Sequence, residues 1–381
     1  MTDATDPSTE SSLPKTLTIG VPVYNEQQSL PGFFQHLKES IDAMPADIDV
    51  EVIFCINGCT DHSEEMLEML IQTAANETPM VVIESDPGKM NAQFAIIEER
   101  TFDGPICFAD SDTIMSKPTL GALYEALNSQ PDLQAAYSHV IPKFDAQTPD
   151  DDVMFLDLLK THYETRHQRP VRPYIHGRTF MLRDDSYLKD LNNDTQARID
   201  RAIERGKEWY VDNLGLDKGV LIDDIHLSRA IVHDHGLDAI QKVKDASVQF
   251  HPATNFRDFS LVIERTLTEI QRLDILYPEH EHVEKDYFRN YFNLESNRPE
   301  IPSIEFQKLR LLKSMEAEIK GRVTEKITDP AEVEKDGLGA KIWMSADSTK
   351  SSWDTEPSDE DEPPAHHMTD NNEDEGGPAL H

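Results

Sequence analysis

The chain is short of basic residues and of long apolar runs. Its 381 residues hold 36 Lys and Arg against 72 Asp and Glu, a net charge of −36. Because proteins bind nucleic-acid phosphates through clustered Lys and Arg, this balance argues against nucleic acid as a partner. No apolar stretch approaches the roughly 20 residues that span a bilayer, and the polar first residues contain no signal-peptide core. The sequence therefore predicts a cytoplasmic protein without a transmembrane segment.

Cysteine is also scarce. Cys55, Cys59 and Cys107 form an odd set without paired close spacing, which predicts neither a disulfide framework nor a zinc site. Two of the three lie in apolar runs, where a free cysteine packs as a small hydrophobic residue. With 38% hydrophobic residues, the chain still has enough apolar side chains for a sizeable core.

The acidity is strongest at the end of the chain but is not confined to it. Residues 346–381 contain eleven acidic residues, one basic residue and four prolines, a composition typical of disorder. The remainder still has 61 acidic and 35 basic residues, a balance of −26. Salt adaptation and a generally well-solvated surface both fit that balance.

Strand and helix periods alternate over the first 110 residues. Strands are predicted at residues 16–23, 50–56, 80–83 and 105–109, with helices at 30–43, 63–75 and 92–99. Strands that alternate with helices form a parallel sheet with right-handed crossovers. Further strands are predicted at 134–141, 175–182 and 246–250, and further helices at 152–168, 194–209, 225–235, 256–276 and 304–323.

The triplet Asp110, Ser111 and Asp112 closes the fourth predicted strand. Residues two apart on a strand face the same way, and ligands of open α/β sheets collect beyond the carboxyl ends of strands. Two such carboxylates suit a hard divalent cation, which commonly keeps phosphate oxygens of a substrate in its shell. The triplet therefore predicts a metal site for a nucleoside diphosphate.

Chance supplies the same pattern elsewhere. With 39 aspartates in 381 residues, composition alone predicts roughly four Asp-x-Asp triplets. Three others occur, at residues 47–49, 150–152 and 359–361. None follows an apolar strand, so we interpret them as solvated surface or linker.

Five short motifs follow one another at predicted sheet edges. They are VPVYNE at 21–26, NGCTD at 57–61, GK at 88–89, DSD at 110–112 and DD at 223–224. In this order, over residues 17–276, they resemble the landmarks of family 2 glycosyltransferases. The resemblance implies the GT-A fold, an α/β class with a Rossmann-like, mostly parallel sheet flanked by helices, followed here by C-terminal helices and a disordered acidic tail. It also implies an inverting hexosyl transfer that depends on Mg2+ or Mn2+.

The resemblance assigns a nucleotide-sugar site to these motifs. Glu26 would accept hydrogen bonds from ribose hydroxyls, with an acid at a helix start as the alternative. Asn57 stands where the family often has an Asp that contacts uracil, which leaves the base open. The assigned residues are Pro22, Tyr24, Glu26, Asn57, Asp61, Gly88, Lys89, Asp110, Ser111, Gly177 and Arg265.

Several of these positions have ordinary structural alternatives. Asp61 is placed to cap the following helix, residues 88–89 to form a turn, and Gly177 to form a bulge in a strand. For Arg265, a salt-bridged helix face is the alternative to a diphosphate contact. Residues 263–267 do not match the Gln-x-x-Arg-Trp signature of polysaccharide synthases in the family, which argues against processive polymer synthesis.

The metal and catalytic roles also come from the resemblance. It assigns Asp112 to the metal and Asp110 to the metal or the ribose. Asp223 and Asp224 resemble the family's acidic pair, whose second member is the catalytic base, although two acids are equally natural at a helix start. His226 and His251 are candidate extra metal ligands, and a satisfied core or surface histidine is the favoured interpretation of each.

The expected organisation has five parts: a disordered start (1–14), a nucleotide-sugar-binding half (15–145), an acceptor and catalytic half (146–280), a helical extension (281–345) and the acidic tail (346–381). The expected partners are a nucleoside diphosphate sugar and an acceptor hydroxyl of a glycan, lipid or small molecule. A sugar nucleotidyltransferase is one alternative, but it would favour a Gly-rich basic loop at residues 24–27. A non-catalytic module of the same fold is the other, and the carboxylates of Asp112 and Asp224 argue against it.

Overall fold

The computed structural model describes residues 13–74, 78–144, 153–165, 174–283, 285 and 303–328. The acidic tail, the first twelve residues and the Asp-x-Asp triplets at 150–152 and 359–361 lie outside these ranges. The triplet at 47–49 is at the surface, where Asp47 pairs with Lys15 at 2.5 Å. None of the helices in these ranges is both long and apolar enough to cross a membrane.

Eight strands and eleven helices make up the described part of the chain. The strands are β1 (Thr16–Val23), β2 (Asp49–Ile56), β3 (Met80–Glu84), β4 (Ile106–Ala109), β5 (Thr113–Met115), β6 (Ala135–Pro142), β7 (Thr179–Leu182) and β8 (Ile240–Phe250). The helices are α1 (Leu30–Asp42), α2 (Ser63–Thr73), α3 (Lys89–Glu99), α4 (Thr119–Ser129), α5 (Val153–Glu164), α6 (Ser186–Glu204), α7 (Glu208–Leu214), α8 (Asp223–His235), α9 (Phe256–Leu276), α10 (Glu281–Val283) and α11 (Ser303–Thr328).

The eight strands form one sheet in the order β3-β2-β1-β4-β7-β6-β8-β5. Strands β1 to β4 pair in parallel, as do β6 and β8. Strand β7 runs antiparallel to β4 and β6, and β5 runs antiparallel to β8. A mostly parallel sheet with helices on both faces confirms the predicted α/β fold class.

The chain reverses its direction of travel across the sheet beside β1. Strands β2 and β3 lie on one side of β1, whereas β4 lies on the other. Such a switch point leaves a crevice at the carboxyl ends of the two central strands, where open α/β sheets bind ligands. The topology therefore places a ligand crevice beside the loops that follow β1 and β4.

Two apolar clusters cover the two faces of the sheet. Alternate residues of β1 and β2, such as Ile19 and Phe54, share one cluster with Phe33 of α1 and Leu123 of α4. Ile106 and Phe108 of β4 belong to the other cluster, together with residues of α3, α6, α8 and α9. Period-two alternation in the strands thus decides which helices each face buries.

Several predicted elements differ from those observed. The predicted helix 194–209 is instead two helices, α6 and α7, separated at Gly206, whose φ of 75° suits glycine. The strand predicted at 175–182 is regular only from Thr179, and β8 begins six residues before the predicted strand 246–250. Strand β5 was not predicted, because three residues are too few to show a period.

The last described helix packs back on the rest of the molecule. On α11, Leu312 joins Phe155 and Leu159 of α5, and Ile319 joins Leu214 at the end of α7. Helix α11 therefore covers the side of the protein that α5, α7 and α9 form.

A substitution at Gly20 tests whether α3 packs closely against the sheet. A Cβ atom at Gly20 would lie 2.8 Å from Ile96 and 2.9 Å from Phe108, both fully buried. Gly20→Ala should therefore lower the free energy of unfolding by about 1–3 kcal/mol through overpacking. Chemical denaturation measures this change.

Gly121 in α4 provides a matched control, because the nearest atom to its added Cβ is 3.9 Å away. Gly121→Ala should be neutral or should stabilise the protein by up to about 1 kcal/mol, through helix propensity. Equal effects of the two substitutions would contradict the proposed close contact.

Candidate active site

Four parallel strands present their following loops at one edge of the sheet, and hydrogen bonds join these loops to one another. The Asn25 side chain accepts a hydrogen bond from the Thr60 amide at 2.7 Å, which links the loops after β1 and β2. Ser111 donates to the Pro22 carbonyl at 3.1 Å, which links the loops after β4 and β1. The structure thus brings the predicted motifs at residues 21–26, 57–61, 88–89 and 110–112 together.

Asp61 is held in a structural position. One carboxylate oxygen accepts from the Ser63 amide at 3.1 Å and from its hydroxyl at 2.6 Å, at the start of α2. The other accepts from the Gln27 amide at 3.2 Å. Asp61 therefore lies one residue before the N-cap position of α2, which is His62, and it holds the turn into the helix instead of capping it.

Glu26 and Asn57 are buried beneath the loops. The Glu26 carboxylate accepts a hydrogen bond from the Ser29 hydroxyl, and its amide donates to Ser63 Oγ at 2.7 Å. Asn57 is 4% exposed, and its side-chain oxygen lies 3.5 Å from the Gly88 amide. Tyr24, in contrast, is 40% exposed beside them. These residues shape the floor of the crevice, and Tyr24 offers an aromatic surface at its rim.

Asp110 and Asp112 each contact a cationic side chain. Lys89 Nζ lies 2.8 Å from Asp110 Oδ1. Arg178 Nη1 lies 2.7 Å and 2.6 Å from the two Asp112 oxygens, and 3.8 Å from Asp110 Oδ2. Burial raises the pKa of Asp110, and the neighbouring Lys89 ammonium opposes that rise.

Lys89 also connects the first acidic pair, Asp110 and Asp112, to the second acidic pair, Asp223 and Asp224. Its Nζ lies 3.4 Å from Asp223 Oδ2 and donates to the Gly177 carbonyl at 3.2 Å. Asp223 is buried at the start of α8 and accepts a hydrogen bond from Gln93 of α3 at 2.6 Å. Asp223 is therefore fully engaged by neighbouring side chains.

Asp224 has a different environment. Its Oδ2 accepts a hydrogen bond from the Gly177 amide at 3.0 Å, while its Oδ1 is buried and has no hydrogen-bond partner among the described residues. Burial and the negative charge of Asp223 raise the pKa of Asp224 to about 7. Such a carboxyl group exchanges a proton near neutral pH, as a general acid or base must.

Gly177 is the residue against which Asp224 lies. A Cβ atom at this position would be 3.0 Å from the Asp224 carboxylate oxygen. The absence of a side chain lets the backbone approach the carboxylate closely, so a role in this contact replaces the strand-bulge alternative for Gly177.

Arg265 projects from α9 toward the same carboxylates. It is exposed to solvent and interacts electrostatically with Arg178, Asp224, Asp110 and Asp112. Within the described part of the chain its side chain forms no direct ion pair, so the salt-bridged helix face expected as the alternative is not observed there. Arg265 is a cation that faces an acidic crevice.

Asp110 and Asp112 are placed to bind a cation that is shared with a substrate. A single nitrogen of Arg178 lies within 3.8 Å of both Asp110 and Asp112, so one small cation is able to contact both carboxylates. Over the described ranges, no group of three or more His, Cys, Asp and Glu is arranged to hold a metal. Two carboxylates are the number that Mg2+ commonly takes from a protein when phosphate oxygens and water complete its shell.

The two histidines considered as metal ligands are buried. His226 packs against Tyr277 with ring centroids 4.4 Å apart, and burial lowers its pKa to about 3. It is thus a neutral core residue, as the favoured interpretation holds. His251 is 4% exposed and follows Phe250, whose ring lies beneath Arg178.

Sequence reasoning missed two residues of α9 that hold the backbone before Asp223 and Asp224. Glu269 of α9 is fully buried and accepts hydrogen bonds from the amides of Leu221 and Ile222, at 2.8 and 3.3 Å. Arg272, one turn later, donates to the carbonyls of Gly215 and Gly219. Helix α9 therefore fixes the backbone that leads into Asp223 and Asp224.

Arg178 and Gln93 were also missed. Gln93 lies in none of the motifs, and it contacts Asp223 across 130 residues of sequence. The one available signal for Arg178 was its place directly after Gly177, as one of few basic residues in a strongly acidic chain.

The solved structures to which the chain is similar are distant in sequence. A mannosyltransferase from Pyrobaculum calidifontis, solved with GDP-Man and Mn2+, is 14% identical over 87% of this chain and 88% of its own, with a TM-score of 0.43. Glucosyl-3-phosphoglycerate synthase from Mycobacterium tuberculosis is 15% identical over 70% and 80%, with a TM-score of 0.38. S. aureus TarS is 13% identical over 86% and 89%, with a TM-score of 0.39.

A search of curated proteins finds no match to this sequence. The profile of the family described as "Glycosyl transferase family 2" matches residues 18–190, which include the first four motifs and Gly177. This part of the chain is therefore similar to glycosyl transferase family 2.

Proposed function

We propose that this protein is a glycosyltransferase that moves a hexosyl group from a nucleoside diphosphate sugar to an acceptor hydroxyl, with inversion at the anomeric carbon. The loops of residues 15–145 bind the donor, and residues 146–280 supply the base and the acceptor side. The observation that carries this proposal is the carboxyl group of Asp224. Its pKa is raised to about 7, and it lies across Gly177 from Lys89 and the acidic pair.

The chemistry is a single displacement. Asp224 accepts the proton of the acceptor hydroxyl while the acceptor oxygen forms a bond to the anomeric carbon. The bond between that carbon and the diphosphate oxygen breaks, and the nucleoside diphosphate leaves with the electron pair. Because attack and departure occur on opposite faces, the configuration inverts.

The donor side must offset the charge of the leaving diphosphate. Asp110 and Asp112 would hold Mg2+ or Mn2+, which neutralises negative charge on the leaving group when it is bound. Lys89 orients Asp110 and Asp223 through its contacts at 2.8 and 3.4 Å. Arg265 faces the same crevice and attracts the anionic donor.

The first prediction concerns Asp112. Asp112→Asn should weaken Mn2+ and donor binding together by at least about tenfold, because removing a charge-assisted contact typically costs that much. The fold should survive, since Asp112 lies at an open sheet edge. Calorimetry with UDP- and GDP-sugars measures both affinities.

Asp47→Asn is the matched control for Asp112→Asn, because Asp47 belongs to a surface triplet and pairs with exposed Lys15. It should leave both affinities unchanged. Undiminished Mn2+-dependent donor binding by the Asp112 variant would remove the main support for this metal site.

The second prediction separates chemistry from binding. Asp224→Asn should lower kcat by roughly 10²- to 10⁴-fold with little change in donor affinity, because the amide keeps the shape but accepts no proton. Asp223→Asn should have a milder effect. In the wild-type enzyme, kcat/KM should fall as the pH drops below about 7, where the raised pKa lets Asp224 become protonated.

Proton NMR of the product tests the stereochemistry that a single displacement requires. Inverted anomeric configuration relative to the donor is the expected result. Retained configuration, or wild-type turnover by the Asp224→Asn enzyme, would rule out this mechanism.

The third prediction concerns Glu269 as a positioning residue. Glu269→Ala removes the acceptor of two backbone amides and leaves Arg272 buried without its partner at 3.6 Å, so stability should fall by about 3–5 kcal/mol. Looser packing should hydrate Asp224 and return its pKa toward the usual range. The acid limb of the kcat/KM profile should therefore move to lower pH.

Glu269→Gln, which keeps an acceptor oxygen, should retain more stability and the original acid limb. Glu264→Ala on the same helix is the control and should change stability by no more than about 0.5 kcal/mol. An unshifted acid limb in a folded Glu269→Ala enzyme would reduce Glu269 to a purely structural residue.

A further inference from the structure

The position between Asp110 and Asp112 is taken by a side chain of the protein itself. Arg178 Nη1 is shared by both oxygens of Asp112 and lies 3.8 Å from Asp110 Oδ2. The guanidinium group also stacks over the Phe250 ring, 4.8 Å from its centroid. Arg178 is 20% exposed and Asp112 is 13% exposed, so water screens this ion pair less than one at the surface.

Asp110 and Asp112 each have a cationic partner within the protein itself. Asp110 contacts Lys89 at 2.8 Å, and Asp112 contacts Arg178 at 2.6 Å. Each of the two carboxylates thus has a cationic partner, although Lys89 also lies 3.4 Å from Asp223. A cation that arrives alone must therefore break the Arg178–Asp112 ion pair, and it gains only part of its ligand shell.

A diphosphate changes this balance in two ways. It supplies oxygen ligands that complete the shell of a divalent cation. It also offers the displaced guanidinium a new anionic partner, since arginine binds phosphate groups well. The Phe250 ring is able to keep its contact with the guanidinium while that group tilts, because cation–π attraction has a loose geometry.

We propose that Arg178 occupies the cation position of the acidic pair in the donor-free enzyme and is displaced only when a divalent cation and a nucleoside diphosphate bind together. This inference rests on the proposed function. It makes Arg178 a positioning residue that couples the two ligands. By linkage, the nucleotide must tighten cation binding by the same factor by which the cation tightens nucleotide binding.

Mn2+ titration in the absence of nucleotide tests the proposal directly. Arg178→Met removes the internal cation and keeps an unbranched side chain against Phe250. Its affinity for Mn2+ alone should exceed that of the wild type by about 5- to 150-fold, the usual size of coupling between ligands. The factor by which UDP or GDP further tightens Mn2+ binding should shrink correspondingly.

Arg265→Met is the matched control, because Arg265 faces the same carboxylates without a direct ion pair. If Arg178 acts by direct occupation, Arg265→Met should raise the affinity for Mn2+ alone much less than Arg178→Met does, because only Arg178 contacts the carboxylates directly. Equal gains in the two variants would overturn the proposal in favour of general electrostatic repulsion.

Two further outcomes separate this proposal from the proposed function. Wild-type enzyme that binds Mn2+ equally well with and without UDP or GDP would overturn the role of Arg178 and leave the metal site intact. Absence of Mn2+ binding by both the wild type and Arg178→Met, with and without nucleotide, would overturn both. Thermal melting of each variant shows whether a lost affinity reflects a lost fold.

Discussion

The ammonium group of Lys89 holds the two acidic halves of the site together. It contacts Asp110 after β4, Asp223 at the start of α8 and the Gly177 carbonyl before β7. Three carboxylates, those of Asp110, Asp223 and Asp224, act on its charge and raise its pKa despite burial. Without this cation, the carboxylates gathered at the crevice would repel one another and the second acidic pair would have no direct ionic link to the first. The remaining features of the site, including the contact of Gly177 with Asp224, depend on that link.

The sequence predicted the fold of residues 16–109 well, because this part repeats one local unit. Each of β1, β2 and β3 is an apolar run followed by a turn and an amphipathic helix, and the observed bounds differ from the predicted ones by at most three residues. The fold after residue 109 was less predictable, and β5 and α4 were not predicted at all. Here the sheet depends on antiparallel pairing of β7 and β5 with distant strands, and pairing partners leave no local period.

The candidate site divides in the same way. Residues that follow strands, such as Asn57, Lys89 and Asp110, could be placed at one edge from strand order alone. Their partners could not, because burial of a charged residue such as Glu269 is visible only when α9 is docked. Arg178 is the clearest case, because it lies 66 residues from Asp112 in the chain and only the folded structure shows their contact.

The long sequence separations within the site have a consequence for how the enzyme assembles. Lys89 and Asp110 are close in the chain, whereas Gln93 reaches Asp223 across 130 residues. Closing a loop of that length costs conformational entropy that no nearby contact offsets, so such contacts form late in folding. During synthesis the loops after β1 to β4 emerge before α8, which carries Asp223 and Asp224. The two acidic pairs therefore meet only after more than half of the chain has been made.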